Sequence, residues 1–143
     1  MAKHSQLTGL ILFFLSSTTA LASAPAKMPP KDAAEAFKNS EIVFAARVQR
    51  TEADKFGFES KASVEPTKIW KGAQFIRGKT IQISGEGGST YPARIFKEKQ
   101  QLIFYIDRDL HADSFTNRVV PEDSAEFKTE RQILDKMASA QSQ

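Results

Sequence analysis

The sequence predicts a mainly β domain, a five- to six-stranded OB-like barrel with a short N-terminal helix and a C-terminal helix. Three observations carry that expectation. Successive stretches between Glu41 and Val120 alternate apolar and polar residues with a period of two, as strands do when one face is buried and the other solvated. An early strand is interrupted by Pro66, which cannot donate to a ladder and so marks a bulge or an edge. The strands are short and the chain is small, and a closed or partly closed barrel protects short edges better than an open sheet.

Taken in chain order, Met1 to Ala24 reads as a secretory signal segment. Lys3 supplies a positive start, Leu7 to Leu15 an apolar run, and Ala20-Leu21-Ala22 a small-x-small cleavage site. Cleavage after Ala22 makes residues 1–22 the signal peptide and Ser23 the first mature residue. A cut after Ala24 would put Pro25 just past the scissile bond, where its fixed φ and missing N–H suit an extended substrate poorly. Residues 23–30 form a Pro/Ala-rich lead-in without periodicity, and the folded domain is expected over residues 31–137. It opens with a short helix from Asp32 to Phe37, capped by Asp32 and closed before Asn39.

From Glu41 the period changes to two. Ile42, Phe44, Ala46 and Val48 share one face and Val43, Ala45, Arg47 and Gln49 the other, which describes a half-buried strand. Thr51 to Gly57 reads as a polar turn. Phe58, Ser60, Ala62 and Val64 then alternate with Glu59, Lys61, Ser63 and Glu65, and the strand resumes after Pro66 through Ile69 and Trp70 to end at Gly72. Lys79 to Ser84 is a third strand, Gly85 to Ser89 a flexible loop, and Ala93 to Phe96 a short fourth strand. Gln101 to Asp107 is the most hydrophobic strand, with apolar residues on both faces, and is expected at the centre. Phe115 to Val120 forms the last strand, stopped by Pro121. Asp123 and Glu126 resemble a capping box that opens a helix through Met137, whose apolar stripe is Phe127, Leu134 and Met137 with Ile133 beside them. Residues 138–143 read as a disordered polar tail.

Composition excludes several function classes. The chain has no cysteine, which removes disulfides, thiolate catalysis, cysteine-ligated zinc and lipid attachment at a cysteine. It has no Asn-x-Ser/Thr sequon either, so an exported chain of this kind reads as a bacterial periplasmic or secreted protein. No apolar run after the leader approaches the roughly 20 residues needed to span a bilayer, so membrane insertion of the mature chain is not expected. The formal net charge is +3 with acidic residues interspersed, a mixed surface rather than a nucleic-acid footprint.

The motifs are weighed against simpler roles. Gly72 to Thr80 resembles a phosphate loop, but five residues separate Gly72 from Gly78 and the segment leads into a strand, so no helix N-terminus faces an anion. Asp107, Asp109, His111 and Asp113 fall at alternate positions, as oxygen ligands around a hard cation can, yet Ala112 and Arg118 occupy the places where such a loop wants Gly and Glu. A solvated turn explains them. His111 is the only histidine after the leader, with no nucleophile elbow beside it, and reads as a surface residue. Glu122 and Asp123 favour a helix start electrostatically. Trp70 with Lys68 and Lys71 could stack bases, but a lone strand tryptophan is more simply a packing anchor. No catalytic set, cofactor or metal site emerges. A non-enzymatic protein-binding module is the first expectation. The alternative is a small metal-dependent periplasmic enzyme or metal-binding protein that uses the Asp107-His111-Asp113 segment.

Ala36-Phe37-Lys38-Asn39-Ser40-Glu41-Ile42-Val43 running into Ala46-Arg47-Val48, then Ile69-Trp70-Lys71-Gly72, Leu102-Ile103 and the helix after Pro121, together resemble the netrin-like domain. Within that family the chain is similar to the N-terminal domain of the tissue inhibitors of metalloproteinases, over about Pro29 to Met137. The resemblance implies an OB barrel and a protein partner, of which an exported or host protease is the sharper version. In those inhibitors an N-terminal cysteine reaches the protease zinc. Here Ser23 stands at the expected N-terminus and Lys38 where a family cysteine is expected, so zinc chelation in the family manner is not implied. The Gly85 to Tyr91 segment combines glycines with an aromatic, a composition suited to recognition. By resemblance its loop joins the N-terminus on one binding edge, made of Ser23, Ala24 and Pro25 with Gly87, Ser89, Thr90 and Tyr91.

Overall fold

The computed structural model describes residues 32–53, 55–56, 59–86, 96–112 and 117–142. Five strands, β1 (Ile42–Ala53), β2 (Glu59–Lys71), β3 (Ile81–Glu86), β4 (Gln101–Ile106) and β5 (Arg118–Pro121), form one antiparallel sheet in the order β3-β2-β1-β4-β5. Two helices accompany it, α1 (Ala33–Asn39) and α2 (Phe127–Gln141). Asp32 caps α1 as expected, its carboxylate accepting from the Glu35 N–H at 2.9 Å.

The alternation in β1 separates two cores. Ile42, Phe44, Ala46 and Val48 join Ala62, Val64, Ile83, Leu102 and Phe104 in an inner core, where the Phe104 ring stacks on Phe44 at 5.1 Å and meets Phe96 at 6.1 Å. Val43 and Ala45 point the other way, into a second core with Trp70, Ile103 and Tyr105 that α1 and α2 cover through Phe37, Phe127 and Leu134. The expected half-buried strand is therefore buried on both faces from Ile42 to Ala46, because helices roof its second face. β1 rather than β4 is the middle strand; β4 lies between β1 and β5.

The sheet is not closed into a barrel, which corrects the expected architecture. β5 has four residues and ends at Pro121, which has no N–H to continue a ladder. The far edge is met instead by the segment between β4 and β5: Ser84 N–H donates to Leu110 O at 3.2 Å and Ala112 N–H to Ser84 O at 2.7 Å, a single parallel bridge at His111.

Pro66 does not split β2, which runs unbroken for 13 residues. Register shifts against β1 leave Thr67 and Trp70 as extra residues on β2 and Gln49 as one on β1, and these bulges absorb the irregularity that Pro66 announced. Gly72 closes β2 with φ +77. A Cβ there would lie 2.4 Å from the Glu41 carbonyl oxygen, so only glycine lets the chain pass the start of β1.

Other boundaries moved for local reasons. β1 continues to Ala53 instead of turning at Thr51, because its ladder with β2 extends to Ser60. β3 includes Gly85 and Glu86, which pair with Ser60 and Glu59. Residues 93–95 of the expected short strand lie outside the described residues, and Phe96 is not in a strand although its ring fills the inner core. The capping box does not form. Asp123 lies in the turn after β5, the cap residue is Glu126, whose side chain makes no capping bond to the helix, and the Ser124 hydroxyl bonds Pro121 O at 2.7 Å. α2 runs on to Gln141, so residues 138–141, expected as a tail, are helical, with Ala138 packed against the second core. Among the described residues no helix is long and apolar enough to cross a membrane.

Candidate functional site

Antiparallel pairing brings several segments to one end of the sheet. Ala53 lies opposite Ser60 and Glu59 opposite Glu86, so the β1–β2 hairpin and the chain leaving β3 emerge side by side. The bridge at His111 adds the segment after β4. Glu52, Lys61, Ser84 and His111 consequently stand in one row across four neighbouring segments. Glu59, Ser60, Lys61, Ser84, Gly85 and His111 line a cavity of about 270 Å³ at this end. A second cavity, of about 170 Å³, shares Glu59, Ser60 and Lys61 and extends to Glu52 and Ala53.

His111 is half-buried rather than a surface residue, because its backbone joins the β3 edge. Its Nδ1 lies 3.2 Å from Ser84 Oγ, and its backbone N–H donates to Asp109 Oδ1 at 3.2 Å. Leu110, with φ 60, turns the chain between them. Asp109 therefore serves the turn's own backbone instead of converging with other carboxylates. Among the described residues no group of three or more His, Cys, Asp or Glu side chains could hold a metal; Asp113 lies outside them. The Gly72 to Thr80 segment forms a 3-10 turn at Ala73–Phe75 before β3, not a helix that could cradle phosphate.

Ser23, Ala24, Pro25, Gly87, Ser89, Thr90 and Tyr91 lie outside the described residues. What is described is where the 87–91 segment starts: directly after Glu86, beside the hairpin and the cavity.

A different polar cluster, not anticipated from the sequence, lies under α2. Glu130 is 4% exposed. Its carboxylate accepts from the Tyr105 hydroxyl at 2.6 Å and from Arg118 Nε at 3.0 Å, with Arg118 Nη2 bonding it too and also reaching Glu126 at 3.0 Å. Burial pushes the Tyr105 phenol far above its ordinary range, and the Glu130 carboxylate adds to the effect. The bond to Glu130 outweighs partial burial and holds the Arg118 guanidinium more firmly protonated. A sequence signal existed: Phe127, Glu130, Leu134 and Met137 share one helical face, so an acidic residue interrupts the apolar stripe.

Trp70 is buried, as a packing anchor should be, and its Nε1–H donates to Asp135 at 2.6 Å while Lys68 pairs with the same carboxylate at 2.6 Å. Lys68, then Trp70, hold the Asp135 carboxyl below its ordinary range. Each of these shifted groups ties a helix to the sheet. No protein-family model matches the chain, and no curated protein matches it.

Proposed function

We propose that this chain is an exported, non-enzymatic module of the netrin-like kind, an OB-like fold left open at one seam, that binds another protein at the end of the sheet where the 87–91 segment begins. The observation that carries this reading is convergence. The β1–β2 hairpin, the exit from β3 and the His111 segment meet around one polar cavity, and segments clustered at the end of a rigid sheet are where binding residues concentrate. The strand order β3-β2-β1-β4-β5, with a parallel contact across the seam at Ser84, supports the barrel-like reading. The Tyr105–Glu130 and Trp70–Asp135 bonds fasten α2 to the sheet, a packing role for these groups.

The test is partner capture by the mature chain from the periplasmic and secreted fractions of its source, followed by variants. Tyr91→Ala and deletion of residues 23–26 should each weaken binding of the same captured protein at least about tenfold, with the melting curve unchanged. Equal binding by both variants overturns this edge as the site. N-terminal sequencing should find Ser23 first, and retention of Met1 in the exported protein overturns the leader assignment. An inhibitory role requires that a captured protease lose activity on titration with the chain. The metal-dependent alternative requires millimolar calcium, zinc or manganese to raise the melting temperature, where a binding module of this kind is expected to show no shift.

A further inference from the structure

Among the described residues Ser40, Ser60 and Glu130 are the buried polar side chains, so the one buried charge lies beneath α2. Little apolar surface is buried with it. Along the helix Phe127 and Leu134 are the buried apolar residues, with Met137 and Ala138 packed in part. Carboxylates make the rest of the attachment. Tyr105 of β4 and Arg118 of β5 hold Glu130, Arg118 also holds Glu126, and Lys68 and Trp70 of β2 hold Asp135. From its own helix Arg131 adds to the positive field at Asp135. The remaining neighbours are apolar: α1 brings Ala33, Ala36 and Phe37 to this core, with Glu35 and Lys38 exposed, and β1 brings Val43 and Ala45. The acids of the attachment are thus on the helix side and its cations, Arg118 and Lys68, on the sheet. Protonating those acids leaves a helix that carries Lys128, Arg131 and Lys136 against these two sheet cations, and attraction gives way to like-charge repulsion. The inner core has no such dependence, because Ile42, Phe44, Val48, Phe104 and their neighbours are apolar.

We propose that α2 is an acid-released cover: protonation of Glu126, Glu130 and Asp135 undocks it from the sheet while β1 to β4 stay folded around the inner core. Opening uncovers Val43, Ala45, Trp70 and Ile103, the apolar floor on which the helix lies. The release is local because the two cores depend on different forces, one on apolar burial alone and the other on burial together with ion pairs. Other carboxylate pairs do not compete with it, since Arg50 and Arg108, which pair with Glu52 and Glu41, are exposed and such pairs add little to stability. The switch does not rest on the binding function proposed above.

The test follows the wild-type chain from about pH 7 to about pH 2, across the range where carboxylates titrate, by the emission of Trp70, its single tryptophan, and by amide hydrogen exchange. Trp70 emission should shift to the red, and the amides of Glu130 to Leu134 should lose at least about tenfold in protection, while those of Phe44 and Phe104 keep theirs. Neutralisation should restore the starting state. The double variant Glu130→Gln, Asp135→Asn fixes two of the clamps in their uncharged form and should show the same open pattern at about pH 7. Loss of protection in α2 and the inner core in one step overturns the cover, as does α2 protection that persists to about pH 2. A double variant that stays closed at neutral pH overturns it as well. Should that variant fail to fold, the wild-type titration alone decides.

Discussion

Arg118→Met should be among the most destabilising substitutions outside the apolar cores. In the folded protein the Glu130 carboxylate is 4% exposed and draws on Arg118 through both Nε and Nη2, with Tyr105 on its second oxygen. Removing the guanidinium leaves a buried charge with one neutral donor, and breaking such a pair costs about 3–5 kcal/mol. That is a large fraction of the roughly 5–15 kcal/mol that holds a typical domain folded. Removing the other partner should cost less. In Glu130→Met the Arg118 side chain, 19% exposed, keeps Glu126 and reaches water, so the main loss is the Tyr105 hydroxyl left without its acceptor, about 1–3 kcal/mol. The double variant Arg118→Met, Glu130→Met should then be more stable than Arg118→Met alone, since the second change removes the stranded charge. Urea denaturation followed by tryptophan fluorescence reads this as a shift of midpoint at constant slope, with Trp70 reporting from the same core. If Arg118→Met unfolds within about 1 kcal/mol of wild type, or if the double variant is the less stable of the two, the carboxylate is not buried under α2 as described.

Phe104→Ala removes a fully buried ring that stacks on Phe44 and meets Phe96 at a tilt, and should cost about 3–5 kcal/mol, measured by the same denaturation; a melting temperature within a degree or two of wild type overturns the inward assignment of that face of β4. Gly72→Ala puts a Cβ against the Glu41 carbonyl oxygen at a positive φ, so it should lose at least about 1–2 kcal/mol from the left-handed backbone alone and more from the contact, and a neutral melt refutes the close approach. The Tyr105 phenol has a folded proton affinity raised above the unfolded one, so its contribution is complete below about pH 10 and is lost as pH rises beyond that; Tyr105→Phe should flatten the alkaline limb of the stability curve. The Asp135 carboxyl is shifted the opposite way, so its contribution is present above about pH 4 and is lost as pH falls, and Asp135→Asn should remove that part of the acid limb.

Period-two patterning made β1, β2 and β3 legible, because a strand with one face in the inner core must alternate, and β4 stood out as a continuous apolar run covered on both faces. The alternation also assigned the faces of β1 correctly, Ile42 with Phe44 and Val43 with Ala45. The closure of the sheet was not legible. Whether a short last strand reaches the opposite edge depends on where Pro121 stops it and on which backbone meets Ser84, neither of which leaves a periodic trace. The start of α2 was misread because Asp123-x-x-Glu126 satisfies the spacing of a capping box while tertiary packing needs those residues to turn the chain from β5 onto the helix axis. At the candidate site, Lys61, Ser84 and His111 are distant in sequence and share no motif; only the register of β2 on β3 and the bridge at His111 bring them together.

The position of β1 in the sheet also determines the order in which the fold can assemble. On one side β1 meets β2, the next element of the chain, and β2 meets β3, so this meander closes through local contacts of the kind that form in about 1–10 μs. On the other side β1 pairs with β4, Ile42 against Ile106, and the entropy of the intervening chain must be overcome before Phe104 can stack on Phe44. The docking of β4 is therefore the step expected to limit folding, with the pairs that fasten α2 expected to form after it. Losing the Arg118–Glu130 pair should accordingly speed unfolding and leave refolding nearly unchanged, so the clamp beneath α2 governs how long the native state lasts rather than how quickly it is reached.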